Sequence, residues 1–226
     1  MDQAVPSSRS GPAFTERWPE VVSPVPPGGE DPLGASVLDG APLRVFAPAD
    51  VRLVLGRGQN PWRELVVAQA QADGVPIHRR PTGGGAVILA PGCVVIACRL
   101  PAWDGDTVTC CGRINACLIP ALRAVGAPEL MTCGHGDLTV RADGGPRKIL
   151  GASLRRGAFG VLYLGALLID DISELMGRYL LAPSRQPDYR QGREHRRFCS
   201  HLGCYGITED TVIPAIEGAM RSVLSE

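Results

Sequence analysis

Three stretches of this sequence hold residues whose types and order could do chemistry. The first is Arg79-Arg80-Pro81-Thr82-Gly83-Gly84-Gly85-Ala86-Val87. Consecutive glycines let a backbone turn tightly and present its N–H groups to an anion. The two guanidinium forks beside them suit phosphate or carboxylate oxygens. A glycine triplet can also be a plain hairpin turn, and the residues alone leave both readings open. The stretch is not a P-loop, because no G-x-x-x-x-G-K-[ST] pattern occurs. The second stretch is Arg147-Lys148-Ile149-Leu150-Gly151, and the third is Gly134-His135-Gly136-Asp137-Leu138. Asp137, at a strand entrance, could hold a metal or cap a turn.

Lys148 is the only lysine in the chain, against 22 arginines. A codon bias that writes Arg wherever either cation serves accounts for that scarcity. A lysine that survives it either is chance or marks a position where a compact ammonium cannot be replaced by a planar fork. A solvated charge at a strand edge is the plain alternative. An ammonium set between a carboxylate and a phosphate would stabilise the charge that develops as an acyl-adenylate forms.

Other clusters are weaker. There are eight cysteines and no C-x-x-C, so most read as small apolar core residues. His195, Cys199, His201 and Cys204 invite a zinc reading, but their spacing fits no standard finger. Arg185, Arg190, Arg193, Arg196 and Arg197 form a basic run, which is a solvated loop or a docking surface for an acidic carrier domain.

The elements that must position these residues follow from patterning. Strands are expected at Leu43–Phe46, Val51–Leu55, Val75–Arg79, Val94–Leu100, Leu138–Arg141, Lys148–Arg155 and Gly160–Ile169. A helix starts at the Asn60 cap with Pro61 in its first position and runs to about Ala72. Further helices are expected over Thr107–Val125, Ile172–Leu181 and Asp210–Leu224. Many strands with few crossover helices indicate α+β rather than a doubly wound sheet. Residues 1–36, with seven prolines, read as a flexible arm, and 37–226 as one folded domain. The 226 residues carry 23 basic and 23 acidic side chains. This balance argues against a nucleic-acid binder. No apolar run approaches the length of a membrane span and no secretory leader is visible, so a cytoplasmic location is the default.

Gly56-Arg57-Gly58-Gln59-Asn60-Pro61-Trp62, then Arg79 to Val87, Gly136-Asp137-Leu138 and Arg147 to Gly151, resemble lipoate–protein ligases in order and spacing. The likeness runs from about Pro42 to the C-terminus. It implies an α+β catalytic domain with a mixed, largely antiparallel central sheet flanked by helices, the fold shared with biotin ligases and related to class II synthetases. It also implies an ATP-dependent reaction: lipoate, or octanoate, becomes acyl-AMP and is passed to a lysine of an acceptor lipoyl-domain protein. By motif position, Arg80, Gly84, Gly85, Ala86, Val87 and Ile88 would contact ATP or the adenylate. Lys148, with Gly151 beside it, would bridge the acyl carbonyl and the phosphate. Asp137 would lie near the nucleotide, with Mg²⁺. Val54, Trp62 and Leu164 would line the acyl slot. The sequence departs from the family pattern at Leu89 and Leu164, where histidines are common, and at Gly136, where asparagine is. The second accessory domain of many ligases is not expected here, which leaves room for a separate accessory subunit. Two alternatives remain: an octanoyl or lipoyl transferase with Cys133 as nucleophile, its thiolate supported by Lys148 or His135, and a non-catalytic relative that binds lipoyl or nucleotide ligands.

Overall fold

The computed structural model describes residues 18–23, 40–101, 105–158 and 160–224. Nine strands and six α-helices are found among them. They are β1 Leu43–Phe46, β2 Arg52–Leu55, α1 Pro61–Glu64, α2 Val67–Ala72, β3 Ile77–Arg79, β4 Val87–Leu89 and β5 Cys93–Leu100. There follow α3 Thr107–Ala124, β6 Leu130–Cys133, β7 Asp137–Val140, β8 Arg147–Gly157, β9 Gly160–Leu168, α4 Ser173–Tyr179, α5 His195–Phe198 and α6 Glu209–Leu224.

Six strands form one sheet in the order β1-β5-β9-β8-β7-β6, and three form a second in the order β3-β2-β4. Every pair in the large sheet is antiparallel, whereas β2 and β3 run parallel. Alternation sorts the side chains of the central strands. Val94, Ile96 and Cys98 of β5 and Tyr163 and Leu167 of β9 face α3 and α6 in the main core. The helices meet them with Ile114, Leu118 and Leu122 of α3 and with Val212, Ile216 and Met220 of α6, each set spaced at one helical turn. Val95, Leu164 and Ala166 point the other way, towards the small sheet. The layers are therefore helices, large sheet and small sheet, and the site lies between the two sheets. No helix among the described residues is long and apolar enough to cross a membrane.

Several elements differ from the sequence expectation. The helix after Asn60 is two pieces, because Leu65 is extended and bridges Leu180. Asn60 caps the first piece, its side chain accepting from the Trp62 N–H. β4 and β6 were not expected; both are short, and one begins two residues after a glycine triplet. Residues 18–23 fall in the stretch read as a flexible arm, yet they pack on β3. Ser23 N–H donates to the Ile77 carbonyl at 2.7 Å, Val22 is buried, and the Trp18 ring lies 4.9 Å from the Arg79 guanidinium carbon. A tryptophan and a valine with an unfilled strand edge nearby suffice to dock a short segment. The rest of residues 1–36 lies outside the described residues.

Gly136 turns the chain from β6 into β7 with φ +145, and a Cβ there would collide with Cβ and Sγ of Cys111 on α3. Replacing Gly136 by Ala is expected to destabilise the fold by about 2–3 kcal/mol through strain and overpacking. Urea unfolding checks this, with a lowered midpoint at unchanged slope.

Candidate active site

Lys148 owes its position to a register shift. Leu138 pairs with Leu150, but Thr139 pairs with Lys148, so Ile149 is an extra residue in β8. Such a bulge re-aims the side chains around it. Ile149 and Leu150 both enter the main core. Lys148 and Gly151 therefore come to one face, towards the small sheet. The lysine side chain lies over Gly151, where a Cβ would stand 2.6 Å from Lys148 Cε and 2.7 Å from Nζ. Only glycine leaves that space. Nζ ends 2.9 Å from Asp137 Oδ1, and Tyr189 OH donates to Asp137 Oδ2 at 2.8 Å. On the backbone, Ser200 N–H donates to the Lys148 carbonyl, and Cys199 forms a parallel bridge with Lys148. The segment after α4 is thus pinned back over β8 at the lysine.

The glycine stretch is held by its own arginines. Arg79 donates to the carbonyls of Gly56, Arg57 and Gln59 at 2.9, 3.2 and 2.9 Å. Arg80 donates to the carbonyls of Gly83 and Gly85, at 2.6 and 2.7 Å from Nη2. Burial lowers the Arg80 pKa to about 10, so it remains charged at neutral pH. Gly56 packs so closely that a Cβ would strike the Gly84 carbonyl oxygen, and Thr82 and Ser153 hydroxyls meet at 2.7 Å. Gly84 takes φ +87, while Gly83 and Gly85 have open space beside their Cα. Arg80 therefore shapes the loop as well as lining a cavity.

Two chambers meet at the lysine. Both are bounded by Ala86, Val87, Lys148, Gly151 and Ala166. One runs under the glycine loop between the sheets, walled by Val54, Leu89, Val95 and Leu164, with Arg80, Gly85 and Ser153 at its polar end. The other runs towards α4 and α5, walled by Ile88, Ile149, Leu168, Met176, Leu180 and Phe198, and carries Glu64, Arg190, His195 and Cys199.

Of the residues expected from sequence, Lys148, Gly151, Arg80, Gly85, Ala86, Val87 and Ile88 come together here, and Val54 and Leu164 do line one chamber. Gly84 supports the loop but lines neither. Trp62 is 48 % exposed and lines neither, because the break at Leu65 leaves α1 as a single surface turn. Asp137 has both oxygens engaged by Lys148 and Tyr189. Among the described residues no three His, Cys, Asp or Glu side chains are grouped to hold a metal. Asp137 thus positions the lysine, and a Mg²⁺ carried on nucleotide phosphates would need only one or two carboxylates from the protein. The His195, Cys199, His201 and Cys204 set does not converge either. Cys133 lies at the end of β6 with its thiol 3.3 Å from the Thr139 hydroxyl, and it lines neither chamber. The thiol that faces a chamber with Lys148 is Cys199. Burial raises its pKa, while the Lys148 and Arg190 charges oppose that rise. A thiol whose pKa is raised is a poor nucleophile.

Sequence reasoning missed Glu64, Tyr189 and the inward turn of Arg190. Glu64 is buried and accepts from the Ser184 hydroxyl. Its signal was its place in the turn after Asn60-Pro61. Tyr189 and Arg190 stand in the stretch Asp188 to Leu202, which resembles the family only loosely and carries no local sign of where these side chains point.

Residues 39–217 match the family described as lipoyl protein ligase A/B catalytic domain. The chain belongs to that family. Solved structures agree on the fold. One is from the bipartite lipoate protein ligase of Thermoplasma acidophilum, studied with its E2 lipoyl domain: TM-score 0.68, 21 % identity, 81 % of this chain and 71 % of that one. A lipoate-protein ligase A bound with ATP gives 0.66 at 20 % identity, covering 81 % and 72 %. LipL1 of P. falciparum in complex with lipoate gives 0.61 at 21 % identity, covering 81 % and 49 %. As a lipoate–protein ligase-like catalytic domain, the chain has the mixed, largely antiparallel architecture that its motifs implied.

Burial holds the His195 pKa down to about 4, with the Arg190 charge adding to the effect. The folded ligase domain thus refuses a proton that the unfolded chain takes up near pH 6.5. Stability should be level above that pH and fall as pH drops from 6.5 towards 4. His78, also held low by burial, adds to the same slope. Chemical denaturation across this range should show a shallower loss in His195→Gln than in the parent.

Proposed function

We propose that this chain activates lipoate, or octanoate, with ATP and transfers the acyl group to a lysine of a lipoyl domain. The observation that carries this reading is the Lys148 ammonium above Gly151 at the junction of two chambers. The chamber walled by Val54, Leu89, Val95 and Leu164 suits an acyl chain, which is buried for its apolar area. The chamber towards α4 and α5 offers polar groups for a nucleotide. The carboxylate from one chamber attacks the α-phosphorus from the other, and pyrophosphate leaves. Charge gathers on the oxygens between them, where the ammonium is already in place. In the second step the acceptor amine attacks the acyl carbon, the amine proton is lost, and AMP leaves. Members of the family bound to ATP and to lipoate support both ligand classes. The bipartite neighbour supports a lipoyl-domain acceptor and a separate accessory subunit.

The test is mass spectrometry of a lipoyl domain incubated with this chain, ATP-Mg²⁺ and lipoate or octanoate. One arm adds a family accessory subunit, and another replaces ATP and free acid with octanoyl carrier protein. Modification that needs ATP is expected. Modification in the carrier-protein arm alone would establish the transferase instead. No modification in any arm would leave a binding protein.

Two substitutions bear on the lysine. Lys148→Arg places a fork where a point charge is needed and should abolish acyl-AMP formation. Gly151→Ala displaces the ammonium and should cost about 100-fold in rate, the usual effect of an ångström-scale misplacement. Both variants should keep the parent's thermal midpoint to within a few degrees. Near-parental turnover in either would remove Lys148 from the chemistry.

A further inference from the structure

Arg190 is the one member of the basic run that is buried, at 6 % exposure. It ends a short helical turn, Asp188–Arg190, after which Gln191 and Gly192 take φ +51 and +71 and reverse the chain. The reversal drives its side chain inward. The guanidinium lies over the Phe198 ring at 4.7 Å, and its Nε donates to the Arg193 carbonyl at 2.9 Å. No hydrogen bond from its two terminal nitrogens is made to any described residue, and no carboxylate among them comes within salt-bridge distance.

That makes it unlike the other partly or fully buried cations near the cavities. Lys148 has Asp137, while Nη1 of Arg79 and Nε and Nη2 of Arg80 donate to backbone carbonyls. Burying a cation without a counter-charge is costly, and an anionic ligand removes the cost. Arg190 lines the chamber that Lys148 also lines. Both charges act on the thiol of Cys199, which lines the same chamber. Burial lowers the Arg190 pKa, and the nearby Arg193 charge adds to this, as expected of an uncompensated cation.

We propose that Arg190 binds phosphate oxygens of the nucleotide in the chamber towards α4 and α5, acting with Lys148 as a second cation. This rests on the nucleotide reading given above. A guanidinium offers paired donors at a spacing that matches phosphate oxygens, and stacking on Phe198 fixes its plane. The same fork would accept a fatty-acid carboxylate. The phosphate is favoured because Arg190 and Lys148 set two positive charges on one chamber, which suits a polyphosphate better than a single carboxylate.

Isothermal titration of the full chain distinguishes these. The probes are inorganic pyrophosphate, ATP, adenosine and octanoate, against the parent, Arg190→Met and Arg190→Lys. Methionine keeps the packing on Phe198, and lysine keeps the charge if the first variant does not fold. The expected result is an affinity for pyrophosphate and ATP lowered about tenfold or more in Arg190→Met, less in Arg190→Lys, with adenosine and octanoate unchanged. Equal affinity for pyrophosphate and ATP in parent and folded variant would overturn the proposal, as would a loss for octanoate alone. Failure of the ligase reading looks different: the parent would then yield no acyl-AMP whatever Arg190 does. In the lipoylation assay the variant should raise KM for ATP more than it lowers kcat.

Discussion

The ion pair between Lys148 and Asp137 is the interaction around which the site is assembled. It exists because one extra residue in β8 breaks the two-residue alternation of the strand. Without that bulge Lys148 and Gly151 would face opposite sides of the sheet. With it, the ammonium lies flat over a glycine that has no side chain to push it away. Asp137 opens the neighbouring strand at the matching height, and Tyr189 holds its second oxygen. The long segment after α4 is then tied down by Ser200 and Cys199 at the backbone of the same lysine. One charge is thus oriented by three parts of the chain that are far apart in sequence.

A second theme is that arginine here works mainly on backbone. Arg79 donates to the carbonyls of Gly56, Arg57 and Gln59, and Arg80 to those of Val54, Gly83 and Gly85, so the two bind the loop before Asn60 to the glycine stretch. Arg193 closes the later segment in the same way, through the carbonyls of Pro146, Tyr189 and Arg190. A chain with one lysine and many arginines can afford this, because a guanidinium reaches several carbonyls at once and an ammonium does not organise planar contacts.

Two of the three departures from the family pattern fall in one place, while Gly136 lies in the turn between β6 and β7. Leu89 and Leu164, where histidines are common, both wall the chamber under the glycine loop. Their change from polar to apolar makes that chamber better suited to hydrocarbon and less suited to groups that need hydrogen bonds. Lys148, Gly151 and the glycine loop are unaltered.

Much was legible in the chain by itself. The motifs at Arg79–Val87 and Arg147–Gly151 named the family, and alternation located β5, β8 and β9, because a buried strand leaves a local apolar record. The lone lysine marked its own position. Asn60 and Pro61 announced a helix start that the structure bears out. The roles of Asp137, Tyr189, Cys199 and Arg190 were not legible, since each depends on a partner many residues away. Asp137 reads as a turn or metal residue until Lys148 is seen beside it. Arg190 reads as a surface charge until a reversal at Gln191 and Gly192 turns it inward. Residue types and local spacing determine which groups are available. The bulge in β8 and the return of the last segment decide which of them meet, because facing across strands and burial against a distant ring are properties of the packed chain and leave no periodic trace in the sequence.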